Sequence, residues 1–252
     1  MQGRPLNGLA QEHEAHRWAG ELGHVGTLVH SLDVRILHRT QRRDHQEVFD
    51  LAGELVTLTS EHGLVDHRAK GLIFRGWTVA MRDDPVRGLR TLEEGLARQR
   101  EIGTLEDFPI YVCLHAEALA RAGQPEQAVN MLQRERRIFD ELNLRFWMPE
   151  VLRLLAEIIL QADRGGVAQA QTLLREAAEL AATQGAVRLE LRIAVTAAQF
   201  GLRLDDEEHA TRRIARALAR IVEDDGSPEL ADARSLVTAG FSGTVPCGTP
   251  NS

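Results

Sequence analysis

The sequence predicts an all-α protein, a helical-repeat solenoid of about five helix pairs with flanking helices. Three observations predict it. A short glycine-centred segment recurs at nearly even steps along the 252 residues. The stretches between recurrences are amphipathic and dominated by Ala, Leu, Glu, Arg and Gln, all good helix formers. Strand signals are nearly absent, with aromatics at 4% and no period-2 alternation flanked by hairpin turns.

The recurrent segment reads Glu21-Leu-Gly-His-Val25, Glu61-His-Gly-Leu-Val65 and Glu101-Ile-Gly-Thr-Leu105. It continues as Glu141-Leu-Asn-Leu-Arg145 and Thr183-Gln-Gly-Ala-Val187, with a looser echo at Asp225-Gly-Ser227. Its centres are Gly23, Gly63, Gly103, Asn143, Gly185 and Gly226, spaced 40, 40, 40, 42 and 41 residues apart. Glycine and asparagine tolerate the left-handed conformation that closes a helix, so each centre marks a helix end.

A second punctuation divides each unit: Arg42-Arg-Asp44, Asp83-Asp-Pro85, Gly123-Gln-Pro125, Asp163-Arg-Gly-Gly166 and Asp205-Asp206. Pro85 and Pro125 suit a first helical turn, where a missing N–H leaves nothing unbonded. Each unit is thus helix A, a tight turn, helix B and a marked turn. A single array over 1–239 follows, with a half-unit at 6–22 and units at 23–62, 63–102, 103–142, 143–184 and 185–226. A capping helix at 228–237 closes it, and the turn-rich stretch 240–252 reads as a disordered tail.

Composition narrows the function classes. A net charge of -7 disfavours a nucleic-acid partner or an anionic membrane surface, both of which favour basic faces. No apolar run approaches the roughly 18 to 20 residues that span a bilayer, and the N-terminus lacks a signal-peptide layout. The two cysteines, Cys113 in a helical pattern and Cys247 in the tail, suit a reducing cytoplasm. Lys70, the sole lysine, reads as codon bias.

A period near 40 lies between about 34 for tetratricopeptide pairs and about 40 to 47 for HEAT-like ones, so residues inside the units decide. In the third unit Ala116 falls on helix A, Gly123 and Pro125 in the turn, and Ala128 and Leu132 on helix B. The second unit offers Gly76, Trp77, Asp83, Gly88 and Leu92 at matching offsets. The fourth offers Ala156, Ala170, Leu174 and Ala177, the fifth Ala198, Ala210, Ile214 and Ala217. The first, with Ile36, Val48 and Ala52, departs most. This spacing of small residues resembles the tetratricopeptide pattern, which implies a right-handed superhelix.

Three stretches resemble something narrower: Gly71-Leu-Ile-Phe-Arg-Gly-Trp77, His115-Ala-Glu-Ala-Leu-Ala-Arg-Ala-Gly-Gln-Pro125 and Pro149-Glu-Val-Leu-Arg-Leu-Leu-Ala-Glu157. They are similar to the C-terminal tetratricopeptide region of large bacterial multidomain ATPases, the class III adenylate or guanylate cyclase-like proteins and MalT-like or LuxR-type regulators. Gln184-Gly-Ala-Val-Arg-Leu-Glu-Leu-Arg192 and Glu223-Asp-Asp-Gly-Ser-Pro-Glu-Leu230 fit the same region. The catalytic parts of such proteins are missing. The sequence has no G-x-x-x-x-G-K-[ST] phosphate loop, no placeable cyclase carboxylate pair and no basic recognition helix. The resemblance implies a sensing or docking module, with no cofactor and no catalysis of its own.

His13 and His16 lie three apart on a helix without zincin spacing or a third ligand, and read as solvent-exposed. His62 and His67 straddle a turn, and Cys113 reads as a small apolar core residue. No serine sits in a nucleophile elbow. Glu93-Glu94, Asp205-Asp206 and Glu207-Glu208 read as turn or helix-start charges. An acid pair for hydrolysis needs a cleft, and a smooth solenoid supplies none.

In tetratricopeptide arrays helices A line the concave face, which implies candidate partner contacts unit by unit. These are His30 and Asp33; Lys70 and Trp77; Glu117 and Arg121; Glu150, Arg153 and Glu157; and Arg192, Gln199 and Arg203. The plain alternative is a solvated face with i,i+4 pairs such as Glu117 with Arg121 and Arg153 with Glu157. The expected function is a protein- or peptide-binding scaffold or sensor of a bacterial signalling or transcription-regulatory system. The alternatives are an enzyme with a cryptic, metal-dependent groove site, or a homo-oligomer formed through Leu9, Trp18 and Leu22 of the first helix.

Overall fold

The computed structural model describes residues 5–104, 107–162, 164–204 and 210–238. The chain is all-α. Its helices are α1 (Pro5–Leu22), α2 (Val25–Gln41), α3 (His45–Glu61), α4 (Val65–Arg82), α5 (Pro85–Ile102) and α6 (Phe108–Arg121). They continue as α7 (Pro125–Glu141), α8 (Met148–Ala162), α9 (Val167–Thr183), α10 (Val187–Gln199), α11 (Ala210–Arg220) and α12 (Pro228–Thr238). A short 3-10 turn, Arg164–Gly166, leads into α9. No described helix is long and apolar enough to cross a membrane. Asp163, Asp205 to Glu208 and the tail from 240, singled out in the sequence, lie outside the described residues.

All six glycine or asparagine centres adopt positive φ, from 56° at Asn143 to 83° at Gly103. One further turn uses the same conformation without either residue: Arg43, between α2 and α3, has φ 60°. Pro85 and Pro125 occupy the first turns of α5 and α7, and Asp44 and Asp84 accept from the amides of Glu47 and Arg87 as N-caps.

Each helix packs on its neighbours in sequence, and the even-numbered helices also touch one another along the array: α2 with α4, α4 with α6, α6 with α8, α8 with α10, α10 with α12. Among the described residues the backbones of the odd-numbered helices do not approach one another, and these helices meet only through long side chains such as Arg136 of α7 with Glu176 of α9. Two rows of different spacing therefore run side by side, and the tighter even-numbered row forms the inner lining.

Small residues set how near the rows come. A Cβ at Gly76 on α4 would lie 2.4 Å from the Leu92 nitrogen, and one at Gly88 on α5 would lie 2.2 Å from the Ala80 nitrogen. Gly95 would meet the Ala69 carbonyl at 2.7 Å. The backbones of α4 and α5 are thus in direct contact, and only hydrogen fits at these positions. Ala116, Ala128, Ala156, Ala170 and Ala177 repeat the device in milder form, each wholly buried. The remaining core is largely aliphatic, with Leu32, Leu55, Ile73, Leu92, Leu114 and Leu132 sealed off, and its largest buried side chains are Trp77, Tyr111 and Phe139. Cys113 lies within it, and burial pushes its thiol well up.

The outer face of α1 has no neighbour among the described residues. Trp18 is 52% exposed and Leu22 72%, while Leu9 is half-buried. His13 is exposed, but His16 is half-buried and its Nδ1 lies 2.7 Å from Ser31 Oγ, correcting the expectation of two free imidazoles.

Candidate functional site: a charged cleft on the inner row

A cleft of about 550 Å³ opens on the inner row, bordered by α4, α6, α8, α10 and α12. This corrects the expectation of a smooth face. Its walls come from the last turns of α4 and α6, the C-terminal halves of α8 and α10, the start of α12, and Arg43 and His45 where α3 begins. Leu154, Ile158, Val195 and Pro228 contribute apolar surface between charged groups. Of the residues read from the sequence as groove contacts, Glu117, Arg121, Arg153, Glu157, Arg192 and Gln199 line it.

The floor is an ion network. The Arg43 guanidinium reaches from the α2–α3 turn and clamps the Glu117 carboxylate through two bonds of 2.6 and 2.8 Å. The Trp77 indole N–H donates to the same carboxylate at 2.8 Å. Arg43 lies 5.7 Å above the Trp77 ring and His45 meets it edge-on at 4.8 Å. Deeper in, Glu150 accepts from Arg153 at 2.9 and 3.1 Å. It also faces Arg192 at 3.1 Å and Arg43 at 3.4 Å. Arg153 pairs further with Glu157 and donates to Thr196 Oγ1 at 3.1 Å. Arg192 completes its set with Glu229 at 2.7 Å and the Gln41 carbonyl at 2.9 Å.

Burial alone would push the Glu150 carboxyl up, yet Arg153 and then Arg192 hold it far below the ordinary carboxylate range. Glu117 moves down likewise: burial opposes the shift and Arg43 dominates it. Burial, with Arg43 beside it, lowers the His45 imidazole, which favours its neutral form. The floor carboxylates Glu117, Glu150, Glu157 and Glu229 are each engaged by an arginine.

Several sequence assignments change. Trp77 is 0% exposed, a core residue beneath the cleft rather than a contact on its surface. Beside it, at Gly76, the Gly88 and Leu92 backbones of α5 press against α4. Glu150 is also buried. Glu117 pairs with Arg43 from another unit instead of Arg121 one turn away, whereas the Arg153–Glu157 pair forms as expected. Arg121 and Gln199 remain exposed at the rim.

Asp33 and Lys70 belong to a second cluster: Lys70 Nζ stands 3.6 Å from Asp33 and from Asp107 and 3.9 Å from Asp66, and His67 Nδ1 lies 2.6 Å from Asp33. His30 is exposed outside both clusters, and Arg203 offers its carbonyl to Gln171. Arg43, His45, Glu229 and Asp232 line the cleft and were not singled out in the sequence. They come from the α2–α3 turn and the capping helix, which no local periodicity links to helices A.

Fold and site together define a repeat-built all-α protein with a polar, arginine-lined inner cleft. No protein-family model matches the chain. An uncharacterized protein of Rhizobium meliloti (strain 1021) is 29% identical over 182 residues, covering 72% of this chain and 18% of that relative. The chain spans less than a fifth of the relative's length.

Proposed function

We propose that this chain is a tetratricopeptide-like, right-handed repeat module that binds a protein or peptide segment in its inner cleft, within a cytoplasmic bacterial regulator. The observation that carries the reading is the cleft itself. It draws walls from five successive inner-row helices and keeps Arg121 and Gln199 exposed at its rim. Arginine is among the residues most often found as interface hot spots. The long relative, of which this stretch matches 18%, supports a role beside other domains. The engagement of the floor carboxylates favours recognition over hydrolysis.

The test is site-specific photo-crosslinking in cells, with a photoreactive amino acid at position 121 or 199, and at the exposed outer positions Glu94 and Arg137 as controls. One discrete adduct from the cleft positions and none from the controls supports the reading. Equal labelling from all four, or none from any, rejects it. The exposed Trp18 and Leu22 favour a second reading, self-association through α1. Sedimentation of the wild type and Trp18→Glu checks it: an oligomer dispersed by the substitution supports it, and a monomer in both rejects it.

A further inference from the structure

The link between α11 and α12 is acidic, Glu223-Asp-Asp-Gly-Ser-Pro-Glu229, and most of its carboxylates are held by groups distant in sequence. Glu223 accepts the amides of Leu6 and Asn7 at the start of α1, at 2.7 and 3.0 Å. The Asp225 carboxylate, its side chain 0% exposed, accepts from Arg188 at 2.6 Å and lies 3.3 Å from Arg42 Nε. Arg42 also donates to the Asp225 carbonyl at 2.8 Å. Arg188 reaches on to Ser227 Oγ at 2.8 Å and Glu229 at 3.3 Å, and Glu229 takes Arg192. The remaining acid, Asp224, pairs locally with Arg234.

Two features make this more than a turn contact. Among the described residues, no helix of α1–α3 packs against α10–α12. The two ends of the array therefore meet through this segment and through Arg192 on the Gln41 carbonyl, while Arg43 and Arg192 share Glu150 of α8 between them. The receiving side chains are also committed to anions. Arg188 and Arg192 are buried and permanently charged; without the segment Arg188 loses both Asp225 and Glu229, while Arg192 loses Glu229 and keeps Glu150.

We propose that residues 223–229 are a tethered occupant of the inner row, and that the partner is a peptide segment with acidic residues at similar spacing, which displaces it and parts α1–α3 from α10–α12. This rests on the reading of the cleft as a recognition surface and names the chemistry it reads. Asp225 and Glu229, four residues apart, set the pattern that the arginines of α10 accept. A tethered competitor acts at high effective concentration, and it raises the apparent dissociation constant of a competing ligand by the inverse of the fraction of molecules it leaves open.

The probe is a fluorescein-labelled peptide of sequence Glu-Asp-Asp-Gly-Ser-Pro-Glu, followed by anisotropy against the whole chain. The D225N/E229Q variant, with its own segment loosened, is expected to bind at least tenfold more tightly than the wild type. Arg192→Ala in that background should abolish binding, and the Asn/Gln version of the peptide should not bind. Spin labels at E14C and S235C, with C247S to remove the tail thiol, should separate in the variant and in wild type saturated with peptide. Equal affinity for wild type and variant, or an unchanged label distance, overturns the proposal. If D225N/E229Q fails to fold by circular dichroism, Glu223→Ala replaces it. That change frees only the first amides of α1, and it must lengthen the same distance or the proposal falls. A cleft crosslink that the acidic peptide cannot compete away sinks this inference alone. Absence of any cleft crosslink sinks the recognition reading with it.

Discussion

The α4–α5 interface and the cleft floor hold the same array together by opposite means. Between α4 and α5 the backbones touch at Gly76, Gly88 and Gly95, with Ile73 and Leu92 sealed around them. That contact is dry and tolerates no added atom. Across the inner row the contacts are Arg43 to Glu117, Arg192 to Glu150 and Arg188 to Asp225, spanning 37 to 74 residues of chain. Those bonds are strong only as a complete set, because desolvating each ion costs several kcal/mol that its partners must offset. The first kind of contact fixes the repeat. The second is the kind that the proposed displacement exchanges, carboxylate for carboxylate.

Overpacking the dry contact should give the largest effect. Gly88→Val places a branched side chain where a Cβ alone would sit 2.2 Å from the Ala80 nitrogen. We expect a loss of more than about 3 kcal/mol, the upper end for overpacking, seen as failure to fold or a collapsed urea midpoint. A midpoint within about 0.5 kcal/mol of wild type would mean that α4 and α5 are not in backbone contact.

Breaking one member of the floor comes next. Glu150→Ala leaves Arg153 and Arg192 facing each other without their shared carboxylate. A cost of about 3 kcal/mol is expected, and removing the Arg153 charge together with the carboxylate, in E150L/R153M, should recover much of it. A single-site cost equal to that of the double variant would show that the charges do not act as a set.

Acid should then separate the regions. The Glu150, Glu117 and Asp225 carboxyls are lowered in the folded protein, each against the pull of burial, chiefly by Arg153, Arg43 and Arg188 respectively. A lowered carboxyl contributes stability that is present above its unfolded value near 4 and lost as pH falls through the folded value. Urea midpoints should therefore fall steeply below about pH 4, and the slope should flatten in E150L/R153M.

The smallest effect belongs to His67. Its hydrogen bond to Asp33 raises its imidazole above the ordinary value, while burial opposes the shift. A raised histidine contributes stability that is complete below its unfolded value near 6.5 and is lost as pH rises through the folded one. His67→Gln should thus cost on the order of 1 kcal/mol at pH 6 and less at pH 9. A cost that grew with pH would contradict the sign.

The dry contact was largely legible in the sequence, and the wet one was not. Left-handed turns select glycine or asparagine, so Gly23, Gly63, Gly103, Asn143, Gly185 and Gly226 stand out at even steps. Gly76 and Gly88 showed themselves as small residues at repeat offsets. Arg43 broke the rule: it takes the left-handed conformation at a cost of roughly 1 kcal/mol or more, offset by two bonds to Glu117 that no local pattern announces. Helix-A offsets found Arg153, Glu157 and Arg192, but counting along a helix cannot tell its solvent side from the side beneath the preceding turn. Trp77 was misplaced for that reason. The meeting of Asp225 with Arg42 depends on the curvature summed over every pair, a quantity that no single repeat encodes.

Trp77 has a practical consequence. The chain has three tryptophans: Trp18 stands in solvent, Trp147 lies in the core away from the cleft, and Trp77 shares its indole N–H with the carboxylate that Arg43 grips. When that grip loosens, the indole loses a charged neighbour and its edge-on imidazole together. Its emission maximum and lifetime should change, while those of Trp147 stay fixed. With Trp18 replaced by phenylalanine, the protein becomes its own optical gauge of whether the Arg43 clamp on Glu117 is closed.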